Sequence, residues 1–162
     1  MKKTIYIFLS FIVLQIALSS CATTNFPKTV KTKVGTFSYI ERFRDYECNA
    51  KRGEADIRYY VRFDEETSQT DLSEAFKYLE NLAQSLDENE VKVIAFADKE
   101  FDYKYNKILE TYSTYAVYIN LSKKPGNCFI EYWLYGKSDE WDYPLAVACN
   151  EKGEPEAAAF IG

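Results

Sequence analysis

Between Ala55 and Phe63 apolar and polar positions alternate, with Ala55, Ile57, Tyr59, Val61 and Phe63 on one side and Asp56, Arg58, Tyr60 and Arg62 on the other. A period of two with one apolar face predicts a half-buried strand. Residues 34–47, rich in β-formers such as Val34, Phe37, Tyr39, Ile40 and Phe43, read as a strand before it, followed by a polar turn from Asn49 to Gly53. The period then changes. Leu72, Phe76, Leu79, Ala83 and Leu86 recur at steps of three and four, which predicts a helix over 71–86 with Asp71 at its N-cap and Glu74 completing a variant capping box. The run Val91-Lys92-Val93-Ile94-Ala95-Phe96-Ala97 is nearly continuous in apolar residues and reads as a buried strand. Strand, helix and strand in succession suggest a right-handed βαβ crossover. Residues 98–110 fit either period and read as irregular or as a short helix. Strands follow over 112–121, 128–135 and 143–149, the last two as a hairpin. The sum is an α+β domain: a mixed, mostly antiparallel sheet of about six strands with one main amphipathic helix, 71–86, on one face.

The first residues follow another logic. Lys2 and Lys3 precede an apolar run from Ile5 to Leu18, the layout of a signal peptide. As a helix this run spans only about 21 Å, short of the roughly 30 Å hydrocarbon core, so a permanent transmembrane helix is not expected. Leu18-Ser19-Ser20-Cys21 resembles the lipobox of bacterial lipoproteins: an apolar residue, two small residues and a cysteine. The resemblance covers residues 1–21 alone. It implies that residues 1–20 are removed as a signal peptide and that the Cys21 thiol carries a diacylglycerol. It also implies a domain held by that lipid anchor in a bacterial cell envelope, outside the cytoplasm. Ala22 after the cysteine, rather than Asp, resembles lipoproteins forwarded to the outer membrane where a cell has two. Residues 21–33 then read as lipidated cysteine and polar tether, 34–150 as a single domain, and 151–162 as a loose C-terminal tail.

Charge and composition narrow the function. The formal net charge is −5, but residues 21–62 hold nine Lys/Arg against five acids, so the acidity lies downstream. An acidic domain argues against a nucleic-acid partner. The basic segment nearest the anchor allows weak attraction to anionic headgroups, or simply a solvated surface. Histidine is absent, which removes Ser-His-Asp and Cys-His catalysis and the usual mixed His/Cys zinc sites. No catalytic constellation, metal ligand set or cofactor motif is assigned. With Cys21 acylated, Cys48, Cys128 and Cys149 remain. Pairing Tyr135 with Asp142 in the last hairpin puts Cys128 opposite Cys149, within disulfide range. Cys48 with Cys149, or three separate buried thiols, are the alternatives.

Aromatic residues make up 17% of the chain. On the predicted strands Arg58, Tyr60, Arg62, Tyr118, Glu131, Trp133 and Tyr135 fall on the face away from the helix, with Phe129 and Tyr112 as further candidates. Tyr, Trp and Arg are the residues favoured at binding hot spots, so this face reads as a platform for a protein, peptide or polymer, unless another segment covers it. Glu131 among aromatics is the one nameable acid/base candidate, though an ion pair to Arg58 or Arg62 is its simpler fate. Asp98, Glu100 and Asp102 lack the Gly and distant Glu of a calcium loop. The leading expectation is a small lipid-anchored envelope binding module, immunity- or inhibitor-like in one version. The alternatives are a carboxylate-dependent envelope hydrolase and a structural envelope-assembly lipoprotein.

Overall fold

The computed structural model describes residues 26–105, 109–122, 129–136 and 143–161. The signal peptide, the lipobox, Cys21 and Cys128 lie outside the described residues. Eight strands form one sheet whose spatial order is the order of the chain: β1 (Thr29–Lys31), β2 (Thr36–Ile40), β3 (Asp45–Arg52), β4 (Ala55–Arg62), β5 (Tyr112–Asn120), β6 (Ile130–Gly136), β7 (Leu145–Cys149) and β8 (Pro155–Phe160). All neighbours run antiparallel except β4 and β5, which are parallel with Tyr60 beside Tyr118. A parallel pair needs a crossover. It is supplied by two helices, α1 (Gln69–Gln84) and α2 (Leu86–Glu100).

The α+β class and the mixed, mostly antiparallel sheet are as the pattern indicates, but the sheet has eight strands rather than about six. Residues 34–47 divide at a tight turn, where Phe43 N–H donates to Ile40 O and Arg44 adopts φ +53, into β2 and the start of β3. β3 runs on through the expected polar turn, and the reversal comes at Gly53, whose φ of +61 glycine adopts without strain. The polar tether contains β1, paired to β2 with Val30 opposite Phe37. The expected loose tail is β8, paired along β7.

The run 91–97 is helical, not a strand. Short apolar runs fit both periods, and tertiary contacts decide. Leu86, Val93 and Ala97 are buried along one side of α2, while Val91 is 69% exposed. Asp87 and Glu90, one turn apart, both reach Arg52 at the end of β3. Only helical spacing presents them together. α1 begins before Asp71: Ser68 is the N-cap, its hydroxyl accepting from Asp71 N–H while the Asp71 carboxylate accepts from Ser68 N–H.

Both helices pack on one face of the sheet. Phe76 of α1 meets Phe37 and Tyr46 edge-on at 5.0 and 5.4 Å. After α2, Phe101 stacks on Phe160 at 4.8 Å. Ile57, Val61, Val117, Ile119, Ile130, Leu134, Leu145 and Val147 complete this core, none more than 1% exposed. Much of the aromatic excess is spent here, since Phe37, Tyr46, Tyr59, Phe63, Phe76, Tyr112 and Tyr132 are all buried. Burial pushes the Tyr46 pKa up to about 12, and its hydroxyl donates to Pro27 O at 2.6 Å.

Candidate functional site

Strand register fixes what shares the face opposite the helices. Glu47, Tyr60, Tyr118, Glu131 and Ala148 form one row across β3 to β7. Asn49, Arg58, Ala116, Trp133 and Ala146 form the next, and Asp45, Arg62 and Asn120 a third. Arg58, Tyr60, Arg62, Tyr118, Glu131, Trp133 and Tyr135, the seven platform residues expected from the alternation, therefore stand on one face. Among the described residues no element lies over it: β1 and β8 extend the sheet at its edges, and Phe101 and Tyr105 pack against Phe160 on the helix side.

Tyr115 joins them through a β-bulge. The register between β5 and β6 slips between Thr114 and Ala116, so Thr114 opposes Leu134 while Ala116 opposes Trp133. A bulge re-aims a side chain. Tyr112 and Thr114 are buried on the helix side, whereas the Tyr115 ring reaches Trp133 and Tyr135, 6.3 Å from each. Tyr112, a candidate for the platform, is thereby excluded from it. Phe129 is excluded as well, since its ring meets Tyr78 of α1 at 5.5 Å. Tyr115 could not be read from the sequence because a bulge leaves no mark on alternation.

The face is a packed aromatic layer with charged borders. Tyr60 and Tyr118 stack at 4.4 Å with 6° between their planes, and Trp133 lies 5.7 Å from Tyr118. The Arg62 guanidinium sits 5.3 Å from the Tyr118 ring centroid and makes a two-pronged ion pair with Asp45 at 3.2 Å. Arg58 is exposed and its pKa is raised by the neighbouring Tyr60 oxygen, while the Tyr60 hydroxyl donates to Glu47 Oε1 at 3.4 Å. Burial, reinforced by the Tyr60 hydroxyl, pushes the Tyr118 pKa up to about 12, so Tyr118 presents a neutral phenol at ordinary pH.

The expected ion pair from Glu131 to Arg58 or Arg62 gives way to these partners. Asp45, only 4% exposed, takes Arg62 because a carboxylate that deep needs a cation. The hydrolase alternative needs a second carboxylate about 5 to 9.5 Å from the first. In the row of Glu131 the next one is Glu47, three strand spacings or roughly 14 Å away. Among the described residues Glu131 therefore has no second carboxylate at that distance in its own row.

Cys48 and Cys149 are both buried and not joined to each other, so that alternative pairing is not formed. Burial raises the Cys48 thiol pKa, the opposite of an activated nucleophile. The last hairpin places Ile130 opposite Cys149, two residues from the expected register. Asp98 and Glu100 fall in the last turn of α2, and among the described residues no three His, Cys, Asp or Glu side chains are grouped to hold a metal ion.

A groove of about 620 Å³ opens where β4 and β5 end and α1 begins, lined by Asp64, Glu66, Asp71, Glu74, Glu151 and Glu156 over an apolar floor that includes Leu121 and Phe129. Its acids come from segments far apart in the chain, which is why no motif announces it. Comparison with protein-family models, with curated proteins and with solved structures gives no match. Function is therefore read from the side chains themselves.

Proposed function

We propose that this chain is a lipid-anchored bacterial envelope protein whose domain is a small binding module, contacting a protein, peptide or polymer ligand through the aromatic face of its sheet. One observation carries the reading: Tyr60, Tyr115, Tyr118, Trp133 and Tyr135 lie together on a rigid sheet with Arg58 and Arg62 at the border, and no described element covers them. Tyr60, Tyr115, Tyr118 and Trp133 are half-buried against one another and Tyr135 is exposed, and Tyr, Trp and Arg are the residues enriched at binding hot spots. The lipobox-like Leu18-Ser19-Ser20-Cys21 supports the anchor and the location outside the cytoplasm. An immunity- or inhibitor-like role fits a preformed face of Tyr, Trp and Arg side chains. Ala22 supports outer-membrane sorting where there are two membranes.

Partner capture from the native envelope tests the reading. The double variant Arg58→Glu/Tyr135→Ser alters two exposed side chains and leaves the core alone. It should lose its companion by at least about tenfold, whereas Lys92→Glu on exposed α2 should retain it. Equal recovery of the same companion by all three proteins would place the interface elsewhere. Mass spectrometry of the mature N-terminus checks the anchor in the same preparation.

A further inference from the structure

We propose that the β2–β3 turn, Glu41-Arg42-Phe43-Arg44, is a bilayer contact that seats the domain on its own membrane, with Phe43 entering the headgroup region and Arg42 meeting lipid phosphate. The proposal rests on the lipid-anchored reading of Cys21. Phe43 is 59% exposed. The turn that presents it is nevertheless fixed, since Phe43 N–H donates to Ile40 O at 3.1 Å and Phe63 N–H donates to Arg44 O at 3.3 Å. The Arg42 guanidinium lies 5.3 Å from the Phe43 ring centroid. Arg44 is engaged by Glu65 at 2.7 Å, while Arg42 is exposed beside the ring. An exposed aromatic ring accompanied by a cation suits the membrane interface, where one end of the pair is apolar and the other hydrated.

The place where the chain enters decides the occupant. Lys28 O accepts Tyr39 N–H, Pro27 O accepts the Tyr46 hydroxyl, and the Phe26 ring is 4.6 Å from that of Phe63. Tyr39 and Tyr46 bracket the turn, so Phe26 sits at the same end of the sheet as Phe43. Cys21 is five residues before Phe26, and five residues reach at most about 18 Å. A bilayer holding acyl chains on Cys21 is thus confined to that distance from this end. The other end, at Gly53-Glu54, lies a further eight-residue strand away, about 26 Å. Asp64, Glu65 and Glu66 adjoin the turn through Phe63 and Arg44, so burial of the ring, rather than attraction to anionic headgroups, supplies the drive.

The test uses the full acylated chain in phosphatidylcholine vesicles brominated on the acyl chains. Phe43→Trp and Glu54→Trp, at opposite ends of the sheet, are each compared with the parent protein, whose own tryptophans set the background. The emission added by Phe43→Trp should be blue-shifted and quenched by bromine, and that added by Glu54→Trp should be neither. Equal behaviour of the two variants, or unquenched added emission from Phe43→Trp on an acylated, vesicle-bound protein, would overturn the contact while leaving the anchor standing. A mature chain without acyl groups on Cys21 would overturn both.

Discussion

At Arg52 three elements meet. Its guanidinium, on the last residue of β3, makes a two-pronged hydrogen bond to Glu90 of α2 at 2.6 and 2.9 Å and reaches Asp87 at 2.8 Å. Glu90 in turn accepts from Thr114 N–H of β5. Burial by itself would raise the Glu90 pKa, but the bonds from Arg52 and Thr114 outweigh it and hold the carboxyl below its ordinary value. A carboxylate depressed by folding adds stability above its unfolded pKa, and that stability is lost as pH falls through the lower folded value. Urea titrations of the parent should therefore show this contribution intact at neutral pH and declining below about pH 4.5. Arg52→Met should cost about 3 kcal/mol near pH 7, because it strands a half-buried carboxylate, and the penalty should shrink on acidification as Glu90 takes up a proton. None of this is legible in the sequence, where Asp87-Glu88-Asn89-Glu90 looks like a polar linker. The residues on the platform are legible, because a period of two assigns a face before any partner is known.

Among the elements, the strands with clean alternation and the α1 stripe emerge from the sequence, while boundaries and ambiguous runs do not. Ser68 caps α1 three residues before the expected cap, for Asp71 serves as the reciprocal N3 acid and not as the cap itself. Ser68→Ala should lower stability by about 1 kcal/mol in urea denaturation followed by far-ultraviolet circular dichroism. Adding Asp71→Ala should cost less than the sum of the two, since each side chain answers the other's backbone N–H. The run 91–97 could have been a strand by composition. Packing of Val93 and Ala97, with the acids of the first turn drawn to Arg52, makes it a helix. The β5 bulge is decided the same way: Tyr112 and Thr114 belong to the core, Tyr118 to the platform, and one extra residue reconciles them.

At the scale of the molecule, one helix-covered face and one aromatic face give the two sides different chemistry but a common dependence on neutral phenols. Burial raises the Tyr46 and Tyr118 pKa values to about 12, against an unfolded value near 10. Protonated phenols therefore support the fold fully below about pH 10, and that support is lost as pH rises through about 12. Alkaline titration should show tyrosinate absorbance from these residues appearing together with loss of sheet structure, and in urea-unfolded protein at lower pH. The sequence by itself determined the α+β class, the strands over 55–63 and 112–121, the inner face of α1 and the seven residues of the platform, because apolar periodicity is a local record of which side is buried. It also holds the whole case for the anchor. Tertiary structure alone decided that β1 and β8 join the sheet, that 91–97 is helical, that Tyr115 faces outward and that carboxylates from 64–74 and 151–156 line one groove. Those outcomes depend on backbone hydrogen bonds and charge pairs between segments far apart in the chain, and no local pattern records which distant partner a residue will meet.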